Sequence, residues 1–261
     1  MKKITKGYID MAISGMYDLF NEKWCKQTIW LISDTHFGDE ELRAGLSSRP
    51  SDEELVKIIN SKVGKKDTLI HLGDVGDIEY VKQLRGYKVL ICGNHDAGAT
   101  NYKREIKQFN FDKSEYSREE AESIVKAQCP GYKLTIGDGY TFVNGRGGVI
   151  MWSIFADNQL FDEVYTGPLM VGEKLLLSHE PVDVEWAFNI HGHDHMGHGR
   201  KNHLNCCVDA SMKQFGIPFE PINMNQIMKT GLLSKVESIH RLTIDTATER
   251  KEKREKKGKR K

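Results

Sequence analysis

Aspartates and histidines recur in this chain directly behind runs of apolar residues. Ile29-Trp30-Leu31-Ile32 leads into Asp34-Thr35-His36, and TLIHL into Gly73-Asp74. KVLIC leads into Gly93-Asn94-His95-Asp96, KLLLS into His179, and FNI into His191-Gly192-His193-Asp194-His195. These groups offer only nitrogen and oxygen donors, the set that suits a divalent cation such as Mn, Fe, Zn or Ni. One Asp-x-His or Gly-Asp is an ordinary turn. Five such groups, each ending a strand candidate, point to one metal site assembled from distant segments. In an extended segment residues i and i+2 share a side. Asp34 and His36 are thus expected to reach one ion while Thr35 faces away. His193 and His195 either share an ion or part to serve two.

The elements that must position these residues are six strand candidates, at 28–33, 68–72, 88–92, 148–155, 174–179 and 188–192. Helical stretches separate some of them. Ser51 followed by Glu54 is a capping-box pattern ahead of Leu55, Val56, Ile58 and Ile59. A second, shorter helix is expected at 78–85, and apolar spacing over residues 1–27 predicts a partly helical N-terminal extension. Near-continuous apolar strands alternating with helices predict an α/β fold with buried sheets. In such sheets, sites form beyond the carboxyl ends of the strands. Gly73, Gly93 and Gly192 suit tight turns where side chains must approach a ligand. Residues 101–147 are different: polar, with a helix expected at 117–128, then a glycine-rich turn region or hairpin. They read as an insertion or cap within a domain spanning 28–245.

Bulk composition narrows the class. The chain has 261 residues, 39% hydrophobic and 29% charged, in the range of a globular domain. No apolar stretch approaches the ~20 residues of a membrane helix, and the N-terminus lacks the apolar core of a signal peptide. The five cysteines are odd in number and form no CxxC pair, which argues against a disulfide framework and a thiolate zinc site. A cytoplasmic location is therefore expected. Residues 250–261 hold nine Lys/Arg and two Glu, whereas the other 249 residues hold 29 Lys/Arg against 35 Asp/Glu. The tail, 246–261, reads as a basic, disordered segment: a solvated terminus or an arm for nucleic acid. The acidic body argues against a long nucleic-acid groove.

The motifs DTH, GD, GNHD, a later SH and GHDH, in that order over residues 34–195, resemble the calcineurin-like metallophosphoesterase superfamily. The segment NCCVDASMKQFGIPFEPINMNQI (205–227) is similar to the closing strand and helix entry of a small bacterial and phage-type branch carrying ISDTHFG and HGH-x-H. The resemblance implies a two-sheet β-sandwich flanked by helices, a four-layer α/β/β/α arrangement, with a dinuclear site at one edge. It implies that Asp34, His36 and His195 hold one ion, that Asp74 bridges, and that Asn94, His179 and His193 hold the other. His95 is implied to face the substrate as a catalytic general acid rather than a ligand. His191 stands behind the ligands, and Asp39, Asp77 and Asp96 are candidates to orient imidazoles, Asp77 or Asp96 for His95. Two divalent ions against two carboxylates leave net positive charge for a hydroxide held between the ions and for an anionic phosphate. Two ions about 3.5–4 Å apart activate water and stabilise both oxygens of an in-line displacement.

The implied activity is therefore metal-dependent hydrolysis of a phosphate ester, with manganese as the favoured metal. A phosphodiesterase acting on small nucleotides comes first. A phosphomonoesterase, including a protein phosphatase, comes second, and a nuclease third. Nothing in the sequence points to a membrane partner. The HxHxDH motif of metallo-β-lactamase-like enzymes is excluded, because the aspartate and last histidine of HGHDH come one position early. A scaffold that lost its metals would lack ligands, and none is missing. His71 is expected in or near the core, His198 and His203 on a loop edge, and Arg43 and Arg49 at the surface.

Overall fold

The computed structural model describes residues 28–46, 48–96, 100–142, 148–171, 174–211 and 215–231, with residue 236. The expected N-terminal helix and the basic tail lie outside the described residues. The chain divides into two compact units, one formed by 1–97 with 163–261 and the other by 98–162.

The first unit contains two sheets. In one, β1 (Ile29–Ile32), β2 (Thr68–His71), β3 (Tyr87–Ile91) and β7 (Glu163–Tyr165) run parallel, and β12 (Ile222–Asn223) joins β1 antiparallel, in the order β12-β1-β2-β3-β7. In the other, the order is β11-β10-β9-β8. There β9 (Leu175–Leu177), β10 (Phe188–His191) and β11 (His203–Asn205) are parallel and β8 (Leu169–Val171) is antiparallel.

The inner faces make one core. Ile29, Leu31, Ile70, Val89 and Ile91 pack with Leu175, Leu177, Phe188, Ile190 and Leu204. Alternate residues of the first sheet, Ile32 and Leu69, turn to the opposite face. There they meet Leu55, Val56 and Ile59 of helix α2 (Asp52–Lys62). Both faces of this sheet are covered, which is why its strands read as unbroken apolar runs. Ser51 and Glu54 form the expected capping box at the start of α2. The same cluster holds Phe37 and Val208, so it anchors two loops that carry polar groups beyond the strand ends. Two short helices, α1 (Glu40–Gly45) and α3 (Ile78–Val81), follow the first and second strands. Helix α6 (Met224–Lys229) buries Met224 and Ile227 in the inter-sheet core.

The second unit begins with a short helix α4 (Thr100–Lys103). It is a three-stranded antiparallel sheet, in the order β4-β6-β5, backed by helix α5 (Arg118–Gln128). Its strands are β4 (Arg104–Asp112), β5 (Lys133–Phe142) and β6 (Gly148–Gln159). Ala121 and Val125 of α5 pack on Ile154 and Ala156. The expected helix and hairpin are present, but two expectations change. The 148–155 run is not a strand of the main sheets; it lies in β6, the centre of this separate sheet. The insertion is thus wider than 101–147. Its apolar run misleads because Ile150 and Phe155 point to solvent, 56% and 39% exposed. Periodicity alone does not say which core a short apolar run belongs to.

Ile59 is fully buried between α2 and the first sheet. Ile59→Ala should lower the unfolding free energy by about 2–5 kcal/mol, and Ser51→Ala by about 1 kcal/mol. Urea denaturation measures both.

Candidate metal centre

The polar groups cluster because parallel strands end at the same edge. Asp34 and His36 follow β1, Asp74 follows β2, and Asn94 and His95 follow β3; His179 follows β9, and His193 and His195 follow β10. The backbone continues to pair past the strand ends: Asp34 N–H donates to Gly73 O (3.0 Å) and His36 N–H to Asp74 O (3.0 Å). Ser33 joins the two sheets, donating to Cys206 O (3.0 Å) and accepting from Val208 N–H (3.1 Å). The sandwich is thereby closed by backbone hydrogen bonds at the edge where the ligand candidates meet.

Asp34, His36 and His195 form one cluster, and Asp74, His179 and His193 a second. His193 and His195 have therefore parted. In the first cluster, His195 Nε2 is 3.8 Å from Asp34 Oδ1. In the second, His179 Nε2 is 2.9 Å from Asn94 Oδ1, 3.2 Å from His193 Nδ1 and 3.2 Å from Asp74 Oδ2. Asp74 Oδ2 also lies 3.5 Å from His36 Nε2, so one carboxylate oxygen faces both clusters. Donors each about 2.1 Å from a common ion sit roughly 3.0–3.4 Å apart at octahedral or tetrahedral angles. These spacings largely match, the Asp34–His195 pair being wider.

Asp34 Oδ1 and His36 Nε2 are buried without a hydrogen-bond partner among the described residues. Buried polar atoms are normally paired, and a cation would satisfy both. The other oxygen of each aspartate is fixed by an opposing loop. His193 N–H donates to Asp34 Oδ2 (2.9 Å), and His95 N–H to Asp74 Oδ1 (2.9 Å). Asp34, His36, Asp74 and His193 all have positive φ, at 58°, 40°, 55° and 67°. Non-glycine residues rarely adopt this region, and such strain concentrates at functional sites. Asp34 and His36 hence converge through left-handed turns and not through the strand alternation expected of them. Thr35 does face away, with Oγ1 donating to Val75 O (2.8 Å).

Burial pushes the Asp34 carboxyl up and the His36 imidazole down. In each case burial disfavours the charged form, the carboxylate of Asp34 and the imidazolium of His36, and a bound cation would stabilise the carboxylate and take the neutral imidazole. Burial also raises Asp74, but the His179 hydrogen bond, the His95 N–H and the charges of His179 and His36 outweigh it and leave Asp74 at about 2. His195 is raised, chiefly by its hydrogen bond to Asp209. His179 is lowered by burial and raised more by Asp74 and Asp34. Its Nδ1–H donates to Leu72 O (2.8 Å), which leaves Nε2 as the ligand atom.

Other expected residues fall around this centre. His95 is exposed, and its ring stands edge-on to His36 at 5.3 Å. Asp96 accepts from the N–H groups of Gly93 (2.8 Å), Asp74 (2.8 Å) and Val75 (3.0 Å), tying the second and third loops together. Asp77 caps α3 through Glu79 N–H (2.9 Å). Asp39 Oδ2 lies 3.9 Å from His36 Nδ1. His191 donates from Nδ1 to Gly192 O (2.8 Å), and its ring packs on His203. His198 meets Asp194 (2.9 Å).

Three residues have larger roles than their sequence positions suggested. His71 is fully buried and neutral: Nδ1 accepts from Gly73 N–H (3.2 Å) while Nε2 meets Thr35 Oγ1 (2.9 Å). Arg49 is buried rather than at the surface and ion-pairs with Asp209. Asp209 carried a usable signal, because HLNCCVD is another apolar strand ending in a carboxylate. Among the described residues Cys92, Cys129, Cys206 and Cys207 are free thiols.

A family model described as calcineurin-like phosphoesterase matches residues 27–214. No curated protein matches the chain. Among solved structures, a protein of unknown function from Aquifex aeolicus is similar at 18% identity and a TM-score of 0.44, over 78% of this chain and 99% of that one. Among the described residues, no helix is long and apolar enough to cross a membrane.

A Cβ added at Gly93 would lie 2.2 Å from Asp74 Oδ1 and 2.7 Å from Asp74 N. Gly93→Ala should therefore fold but bind divalent metal more weakly, as read by dialysis followed by metal analysis. Burial pushes His71 down to about 4. Below the unfolded value near 6.5 the unfolded chain takes up a proton that the folded chain refuses, so stability falls as pH drops toward 4. The slope from this group is at most about 1.4 kcal/mol per pH unit. Urea titrations of metal-free protein across pH 4–7 should show it in the wild type and lack it in His71→Gln.

Proposed function

The chain belongs to the calcineurin-like phosphoesterase family, and from that premise we propose that it hydrolyses phosphodiesters at a two-metal centre. The family carries metal-dependent phosphoester hydrolysis, and this chain retains His/Asp groups able to hold the metal. Asp34, His36 and His195 would hold one ion, Asn94, His179 and His193 the other, with Asp74 facing both. Two divalent ions bound there would supply activated water and charge neutralisation of the phosphoryl oxygens. Manganese is the proposed metal, from the family resemblance and the nitrogen and oxygen donor set.

One observation carries the preference for diesters. A pocket opens beside a ligand candidate of each ion, His195 for one and Asn94 with His179 for the other. A pocket of about 250 Å³ adjoins His195 and is lined by the apolar Leu46, Met196, Pro218 and Phe219 with the polar Ser48 and Asp209. Another, of about 200 Å³, adjoins Asn94 and His179 and is walled by Thr166, Pro168 and Val182. A diester has a substituent on each side of phosphorus, and a monoester has one. The apolar wall beside His195 suits a flat group such as a nucleobase, so small nucleotide diesters are the proposed substrates.

The chain's own residues have separable tasks. Asp34 and Asp74 hold charge, each with one oxygen fixed by a backbone N–H and the other directed into the centre. His95 belongs to neither cluster, and its backbone N–H is held by Asp74. Its ring donates a proton to the leaving oxygen. General acids of this kind contribute about 10²- to 10⁴-fold.

The test compares bis-p-nitrophenyl phosphate with p-nitrophenyl phosphate in Mn²⁺-loaded protein. The diester should be turned over faster, and His95→Ala should lower its kcat by about 100-fold or more with metal content unchanged. A dominant monoester rate would replace the reading with a phosphomonoesterase.

A further inference from the structure

Behind His195 lies a buried charged chain that the ligand set does not include. His195 Nδ1–H donates to Asp209 Oδ2 at 2.7 Å. Arg49 Nη1 donates to the same oxygen at 2.5 Å. Arg49 Nη2 donates to Asp34 O at 2.9 Å and also to Thr35 O. The side chains of Arg49 and Asp209 are 2% and 6% exposed. One guanidinium thus joins the loop that carries the first ligands to the loop behind the last.

His195, Cys207 and Asp209 themselves converge closely enough to resemble a third metal cluster. The guanidinium argues against that. It already occupies Asp209 Oδ2, and a second cation there would face an unneutralised arginine. Burial also holds the Cys207 thiol well above its ordinary value, so it is no thiolate ligand.

We propose that Arg49 and Asp209 are positioning residues for the first ion; this rests on the two-metal reading above. Asp209 holds His195 in the tautomer that presents Nε2 to Asp34, and orienting carboxylates of this kind raise ligand basicity. Arg49 sets the distance between that histidine and the Asp34–His36 turn. A buried ion pair is a poor way to gain stability, because desolvation offsets its Coulomb attraction. Its two-pronged reach to a carboxylate and two carbonyls matches the planar fork of arginine, which lysine lacks. The Arg49–Asp209 pair is net neutral. Removing the carboxylate alone leaves a buried positive charge next to a cation site.

The experiment is calorimetric titration of metal-free protein with Mn²⁺, plus a count of ions retained after dialysis, for wild type, Asp209→Asn, Asp209→Ala and Arg49→Lys. Wild type should take up two ions. Both Asp209 variants should hold the second ion with unchanged affinity and bind the first about 10- to 100-fold more weakly. They should retain one ion after dialysis, and Arg49→Lys should show the same selective loss to a smaller degree. The isosteric Asp209→Asn guards against misfolding, checked by thermal melting without metal. Two ions at wild-type affinity in the folded variants would overturn the proposal. So would equal weakening of both ions with a collapsed melting temperature, which marks a merely structural pair. Wild-type protein taking up no Mn²⁺ would instead overturn the metal reading and this inference with it.

Discussion

Two carboxylates, Asp34 and Asp74, are almost wholly buried at one edge of a sandwich, at 0% and 2% exposure. Unpaired buried charge is costly, and the surrounding architecture follows from managing it. Each carboxylate keeps one oxygen on a backbone N–H from another loop. The remaining oxygens face imidazoles instead of water. Left-handed turns at Asp34, His36, Asp74 and His193 are the local cost of that arrangement, and the strand ends beneath hold them in place.

Parallel topology makes the arrangement reachable. In each sheet, parallel strands deliver their carboxyl ends to the same side, so short loops far apart in sequence arrive together. Ser33 then bonds the first sheet to the second, and Phe37 and Val208 are embedded beside α2. The loops bearing His36 and Asp209 are therefore anchored in the same apolar cluster. Asp96 does for the second and third loops what Arg49 does for the first and last: it fixes backbone positions around the candidate ligands. The second unit leaves the chain soon after Asp96 and returns at Glu163. A whole antiparallel sheet is thus inserted in the chain between the loops that carry Asn94 and His179.

Much of this is legible in residue order. Apolar runs that lead into Asp, Asn or His mark all seven ligand candidates, and Ser51-x-x-Glu54 marks the start of α2 through a local hydrogen-bond pattern. Two strands are poorly legible, for different reasons. β6 carries exposed Ile150 and Phe155 and so imitates a buried strand. β11 is only three residues long, so the apolar run that leads to Asp209 is easily passed over. Arg49 looks like a surface arginine in the sequence because nothing near it announces a buried carboxylate 160 positions away.

What the sequence determined by itself is the chemistry: the donor types, their order, and the glycines that permit close turns, because these depend on residue identity and short-range spacing. What only the tertiary structure decided is the partnership. It separated His193 from His195, directed Asp74 Oδ2 between two clusters, turned Asp96 onto backbone N–H groups, and buried Arg49 against Asp209. Each of those depends on the direction of a side chain across a long-range contact, and direction is set by sheet register and loop conformation rather than by neighbouring residues.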